Sequence, residues 1–204
     1  MRLYHNPVSS NARRAVMTAL HLNVPVELVR VDLAKGEQRL PDYLKMNPNG
    51  RVPVLDHDGF LLTESHAIMT YLADITPGQT VYPTAVRERA DVNRWLFWSA
   101  AHFQPAVSVL NWEHMVKGFL NLGPANPAEV ARGERLFLEC GRVLDAHLAE
   151  RTWVAQDRLT LADIALSTPL MSLKVAKLPA DDFKHLLAWH ARMTDLDIWK
   201  KTSL

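Results

Sequence analysis

The chain has 204 residues, 48% of them apolar and 22% charged, and a formal net charge of +1. This is the balance of a globular protein long enough to bury a sizeable core. The near-neutral charge, with Lys and Arg scattered, speaks against a nucleic-acid or anionic-membrane partner. The single cysteine, Cys140, excludes an intrachain disulfide and a CxxC redox pair.

The opening MRLYHNPVSS carries no apolar run of the secretory type, and no stretch reaches the ~18 apolar residues of a membrane span. A reducing cytoplasm is the expected compartment. Met1–His5 reads as a short strand, and Ala12, Ala15, Val16, Ala19 and Leu20 recur at helical spacing, predicting a helix over 11–22. Val26–Asp32 is rich in β-branched residues and reads as a second strand, with a short helix over Pro41–Met46. Val52–Asp56 and Phe60–Thr63 flank a turn ending in Gly59 and read as a hairpin; Ala67, Ile68, Tyr71 and Leu72 mark a third helix. The order β-α-β-α-β-β-α implies a mixed four-stranded sheet covered by helices. ITPGQTVYPT (Ile75–Thr84) has linker composition, so domains are expected at 1–76 and 86–204, joined by 77–85. The second domain reads as helices throughout. One face carries Val92, Trp95, Leu96, Ser99 and Phe103, another carries Phe137, Cys140, Leu144 and Leu148, and further helices are expected over Leu161–Val175 and Phe183–Met193.

Three segments carry chemistry. Val52-Pro53 sits at a strand entrance, where proline cannot donate to the ladder; a cis bond there would leave the Val52 N–H and C=O to pair with an extended peptide. Glu64-Ser65 lies just before a helix, where free N–H groups suit a carboxylate and Glu64 suits an ammonium; the alternative is that Thr63, Glu64 and Ser65 merely cap the helix. Ser9 and Ser10 follow the first strand and open the first helix, where serines are usually N-caps. No His/Asp partner or G-x-S-x-G context supports a serine nucleophile, and the nine histidines form no metal motif: His185 and His190, five apart, lie on different helix faces.

Residues 47–68, NPNGRVPVLDHDGFLLTESHAI, resemble the NPxGxVPxL…ExSxAI-type signature of cytosolic glutathione S-transferases, with Glu64 directly before Ser65. The resemblance implies a thioredoxin-like α/β N-terminal domain, an all-helical C-terminal domain, and glutathione as co-substrate. Val52, before the cis Pro53, would pair with the cysteinyl backbone, and Glu64-Ser65 would take the γ-glutamyl head. GEQRLPDYLKMNPNG (Gly36–Gly50) resembles the glycyl-carboxylate segment of plant phi enzymes, with Gln38, Arg39 and Arg51 on the polar positions. In serine-type classes a serine at the PVSSNARRA position donates to the glutathione sulfur. Alignment to theta-like and zeta enzymes puts that role on Ser9, with Ser10 and Asn11 in reserve. RLTLADIALS resembles the family's capping box, Thr160 with Asp163, with Trp153 in the same region. His102, Phe103, Trp112, His114 and Met115 fall where the family lines its pocket for a hydrophobic electrophile, with helix-bundle core as the equal alternative for any one of them, and Tyr4 reads as packing within its strand.

The implied reaction is thiolate conjugation to, or reduction of, that electrophile, in a homodimer with Arg87, Asp91 and Arg94 at the interface. Beta-class enzymes place a cysteine where this chain has Ser10, which disfavours mixed-disulfide chemistry. Zeta isomerases carry SSC where Asn11 stands here, and glutamine at the Glu64 position; an isomerase and a non-catalytic stress or interaction protein of the same fold are the alternatives.

Overall fold

A computed structural model describes residues 1–203 and divides into two compact units. One comprises Met1–Tyr82 together with the segment from Leu196 onward; the other is Pro83–Asp195. The sequence groups the C-terminal segment with the helices before it, because nothing local distinguishes it from them.

The first unit is built as β1 (Arg2–His5), α1 (Ser10–His21), β2 (Glu27–Arg30), α2 (Pro41–Met46), β3 (Val54–His57), β4 (Phe60–Leu62) and α3 (Ser65–Asp74). The sheet order is β2-β1-β3-β4, with β1 and β2 parallel and the remaining pairs antiparallel. α1 supplies the crossover that a parallel pair requires. It stops at Leu22 because Asn23 enters the left-handed region at φ 54° and the Val24 N–H closes back on the Ala19 carbonyl at 2.9 Å. Asp58 and Gly59, at φ 53° and 90°, form the two-residue turn between β3 and β4, in register with His57 opposite Phe60.

Alternation along the strands sorts the core. Leu3 and Leu55 lie opposite each other and pack with Ala15, Val16, Ala19, Ile68 and Leu72 of α1 and α3. One residue along, Tyr4 and Val54 pair and pack with Val31, Tyr43 and Val52. Tyr4 meets Tyr43 edge-on at 6.3 Å, so its ring is a packing group. β3 begins at Val54 rather than Val52, since Pro53 has no N–H for the ladder.

The second unit contains α4 (Val86–Trp98), α5 (Gln104–Asn111), α6 (Lys117–Phe119), α7 (Pro127–Leu148), α8 (Leu161–Ser167) and α9 (Lys184–Asp195). α10 (Asp197–Lys200) belongs to the first unit. The helix expected over Leu161–Val175 is shorter: α8 ends at Ser167 and a 3-10 turn covers Thr168–Ser172. Pro169 is the cause, because it lacks an N–H and its ring crowds the preceding turn. No helix among the described residues is long and apolar enough to cross a membrane.

Candidate functional site

Strand register gathers the expected site residues at one end of the first unit's sheet. Tyr4 opposes Val54, so the carboxyl end of β1, which leads to Ser9, lies beside the start of β3, which follows Val52. Leu62 opposes Leu55, so the carboxyl end of β4, which leads to Glu64 and Ser65, lies at the same end. β2 runs parallel to β1, so its exit towards Gln38 and Arg39 is there too. The carboxyl ends of parallel strands in open α/β sheets are where ligands collect.

Ser9 is the N-cap of α1. Its Oγ accepts the Ala12 N–H at 3.2 Å, and its backbone is extended at φ −88°. Ser10 is the first helical residue and so does not hold the cap position that the sequence leaves open to either serine. Asn6 fixes the approach: its side chain donates to the Val31 carbonyl at 2.8 Å and accepts from Val8 N–H at 3.0 Å, while its carbonyl accepts Ser9 N–H at 3.0 Å. A hydroxyl that accepts at its oxygen still has its proton to donate.

Val52–Pro53 is a cis peptide. Among the described residues the Val52 N–H and C=O have no backbone partner. The preceding carbonyl, of Arg51, is held by two donors, Tyr43 Oη at 2.9 Å and Asn47 Nδ2 at 2.7 Å. Burial pushes the Tyr43 phenol up to about 12, so it remains a donor at neutral pH. Gly50 adopts φ 58°, and a Cβ there would stand 3.0 Å from both the Gln38 carbonyl and Arg39 Nη1, which places Gln38 and Arg39 directly against the turn before Arg51. Gln38 Oε1 is buried with no hydrogen-bond partner among the described residues, while Arg39 and Arg51 are exposed.

Glu64 immediately precedes α3 and no side chain caps that helix, which removes the reading of Thr63, Glu64 and Ser65 as a cap. The first internal bond is Ile68 N–H to the Glu64 carbonyl at 3.0 Å, leaving the earlier N–H groups for an external acceptor. Glu64 holds φ 65°, ψ 112°, a conformation that costs a non-glycine residue about 1–3 kcal/mol and that clusters at binding sites. Ser65 is buried, and its hydroxyl has no partner among the described residues.

The site therefore offers an unpaired extended backbone, an uncapped helix start beside a carboxylate, and a capping hydroxyl at a second helix start. Comparison with known proteins identifies the family. Residues 1–74 match the family model for the glutathione S-transferase N-terminal domain and residues 127–192 the C-terminal domain. The chain belongs to the glutathione S-transferase family. It is 31% identical to glutathione S-transferase F10 of Arabidopsis thaliana, over 97% of this chain and 94% of that one. It is 31% identical to glutathione S-transferase 3 of Zea mays, over 99% and 92%. Among solved structures, glutathione transferase F7 of Populus trichocarpa superposes with a TM-score of 0.89 at 26% identity, over 98% and 96% of the two chains.

The transferase's helical unit holds the expected electrophile residues in two π-helical segments, Ser99–Phe103 and Trp112–Val116, which interrupt the run from α4 to α6. Such segments recur at functional positions because the widened turn redirects side chains. His102 and Trp112 are exposed, and His114 and Met115 half-buried. Phe103 takes the bundle-core alternative: it is fully buried, 5.7 Å from the Trp98 ring and 6.0 Å from Phe137, and lines no open surface. Helical spacing gives Phe103 a face but not what covers that face.

Thr160 and Asp163 form the capping box of α8. Asp163 Oδ2 accepts Thr160 N–H at 2.9 Å and Thr160 Oγ1–H at 3.1 Å; Oδ1 accepts Val154 N–H at 2.8 Å and Trp189 Nε1–H at 3.0 Å. The adjacent Arg13 and Arg14 are both buried on α1, a burial that their charge does not suggest. Their position between Ala12 and Ala15, on a helix that otherwise reads as buried, is the sign of it in the sequence.

Proposed function

We propose that this glutathione transferase activates the glutathione thiol through Ser9 and delivers the thiolate to a hydrophobic electrophile. A free thiol titrates near 8.5 and is mostly protonated at neutral pH. Ser9 supports the thiolate in two ways. Its hydroxyl oxygen accepts the Ala12 N–H, which leaves the hydroxyl proton to donate, and the α1 N-terminus adds positive potential. Accepting the Ala12 N–H also polarises the O–H, which strengthens it as a donor.

The rest of glutathione has a complement on the chain. The Val52 backbone suits the cysteinyl amide, the α3 start with Ser65 suits the γ-glutamyl carboxylate, and Glu64 suits the ammonium. Gln38, Arg39 and Arg51 suit the glycyl carboxylate. The chain's own sulfur is a poor nucleophile, since burial and the neighbouring Glu139 charge push the Cys140 thiol up. His102, Trp112, His114 and Met115 are the proposed contacts for the electrophile.

A homodimer is the proposed assembly. Val86, Ala90, Arg94 and Phe97 form one exposed face of α4, with Val86 83% and Phe97 73% exposed, and Phe60 and Leu61 are exposed on the edge strand β4. A second copy is the natural cover for apolar surface of this kind. Of the expected interfacial polar residues, Asp91 and Arg94 pair with each other and Arg87 is exposed. Cytoplasmic detoxification is the role proposed for the reaction.

The observation that carries the proposal is the uncapped start of α3, with its strained Glu64 and unpaired Ser65 hydroxyl, at the same sheet end as the unpaired Val52 backbone. Retention on immobilised glutathione, elution by free glutathione, and glutathione-dependent turnover of an aromatic halide test it. Passage through the column without retention would overturn it. Retention without turnover of any electrophile in a broad panel would leave the non-catalytic alternative.

A further inference from the structure

We propose that His66 is a positioning residue, held by Arg14 so that the first turn of α3 keeps its register against α1. This rests on the glutathione-site assignment above. Arg14 lies on α1 five residues after the Ser9 cap and is wholly buried. Its Nη1 stands 2.8 Å from Nε2 of His66, the residue directly after Ser65.

The chemistry of the pair fixes its direction. A guanidinium has five donors and no acceptor, so Nε2 must accept. A neutral imidazole has one proton, which then sits on Nδ1. Burial first, and the Arg14 charge second, bring His66 down to about 3, so the ring stays neutral and stays an acceptor.

The geometry gives the pair something to do. Ala15, Val16 and Ala19 of α1 share an aliphatic core cluster with Ile68 and Leu72 of α3, contacts that set spacing without direction. The Arg14–His66 bond is directional and lies at the end of the interface nearest the site. Glu64 and Ser65 share the first turn of α3 with His66, so a rotation of that turn carries both with it. Ser9 sits on the other helix. The tie therefore sets where a ligand head held by α3 places its sulfur relative to Ser9. Small errors of this kind are expensive, since a misplacement near 1 Å costs on the order of 100-fold in rate.

The test compares His66→Leu and His66→Met, which remove the acceptor, with His66→Gln, whose carbonyl oxygen restores one. Four quantities are read on each: KM for glutathione, kcat, the pKa of the bound thiol by thiolate absorbance, and the melting temperature. The expected result is a fall of about tenfold in kcat/KM for Leu and Met, through both a raised glutathione KM and a lowered kcat, with a raised thiol pKa, and recovery of all three in Gln. Lowered melting temperature with unchanged KM and thiol pKa makes the tie purely structural and overturns the proposal. So does failure of Leu and Met to fold while Gln behaves as wild type in neither KM nor thiol pKa. A wild-type chain that does not bind glutathione sinks the site assignment and this inference with it. Binding by wild type and by all three variants alike sinks this inference alone.

Discussion

The guanidinium carbon of Arg13 lies 3.9 Å from the centroid of the Trp199 ring, joining the first helix of the chain to its last. The same side chain donates to the Trp199 carbonyl at 3.0 Å, to Thr202 Oγ1 at 3.1 Å and to Ser203 Oγ at 3.3 Å. Arg13 N–H also closes the first turn of α1 on the Ser9 carbonyl at 2.8 Å. The C-terminal segment is thus clamped to the turn whose cap is the proposed thiol donor.

Arg13→Ala is expected to destabilise the protein by about 2–3 kcal/mol, since it removes a desolvated cation–π contact and hydrogen bonds to a charged donor. Chain termination after Asp195 should act in the same direction. Urea unfolding of both variants measures this; an unchanged midpoint in Arg13→Ala would mean that the clamp is decorative.

Ser9→Ala is expected to act on stability and on chemistry together. Loss of the cap should lower stability by about 1 kcal/mol. The pKa of bound glutathione should rise and turnover fall, with a smaller effect on glutathione affinity. Ser10→Ala should leave the cap intact, because the Ala12 N–H goes to Ser9. Thiolate absorbance against pH on both variants separates the two serines; a shift in Ser10→Ala alone reverses the assignment.

Glu64 allows backbone strain to be separated from function. Glu64→Ala keeps the left-handed φ on a residue with a Cβ and removes the carboxylate, so it should lose glutathione affinity without gaining stability. Glu64→Gly relieves about 1–3 kcal/mol of backbone cost, offset by about 0.5–1 kcal/mol of chain entropy. It should therefore be at least as stable as Glu64→Ala while losing the same affinity. Calorimetric titration with glutathione, alongside thermal melts, checks both halves. Ser65→Ala should weaken binding by about 1–2 kcal/mol, the worth of one hydrogen bond to a charged group.

Asp163 gives a pH dependence with a definite sign. Burial pushes its carboxyl up to about 6, against the four hydrogen bonds that favour the charged form. The native state therefore holds this proton more tightly than the unfolded chain, whose aspartates titrate near 3.9. The stabilising contribution is complete below about pH 4 and is lost as pH rises through about 6. Asp163→Asn lacks this titration, so the gap in urea midpoint between wild type and variant should narrow from pH 4.5 to 7.5. Asp163→Ala strands buried donors and should cost about 3 kcal/mol or more at any pH.

Much of this was legible in the linear chain because it depends on local periodicity and turn chemistry. The alternation in Met1–His5, the alanine spacing of α1 and the Asp58-Gly59 turn specify their own geometry, and together they imply the mixed sheet. The motif around Val52-Pro53 and Glu64-Ser65 marks the proposed ligand-binding segments for the same reason: proline chemistry and helix starts are properties of neighbouring residues. What neighbouring residues do not contain, only the tertiary structure decided. Either Ser9 or Ser10 satisfies the composition of a cap, and the Asn6 bonds to Val31 and Val8 select Ser9 by fixing where the chain leaves β1. Phe103 has the same spacing as a surface-facing pocket residue, and Trp98 and Phe137 make it core. The segment from Leu196 carries no local sign that it returns to α1; Arg13 and Trp199 meet 186 positions apart, a distance along the chain that no window of periodicity spans.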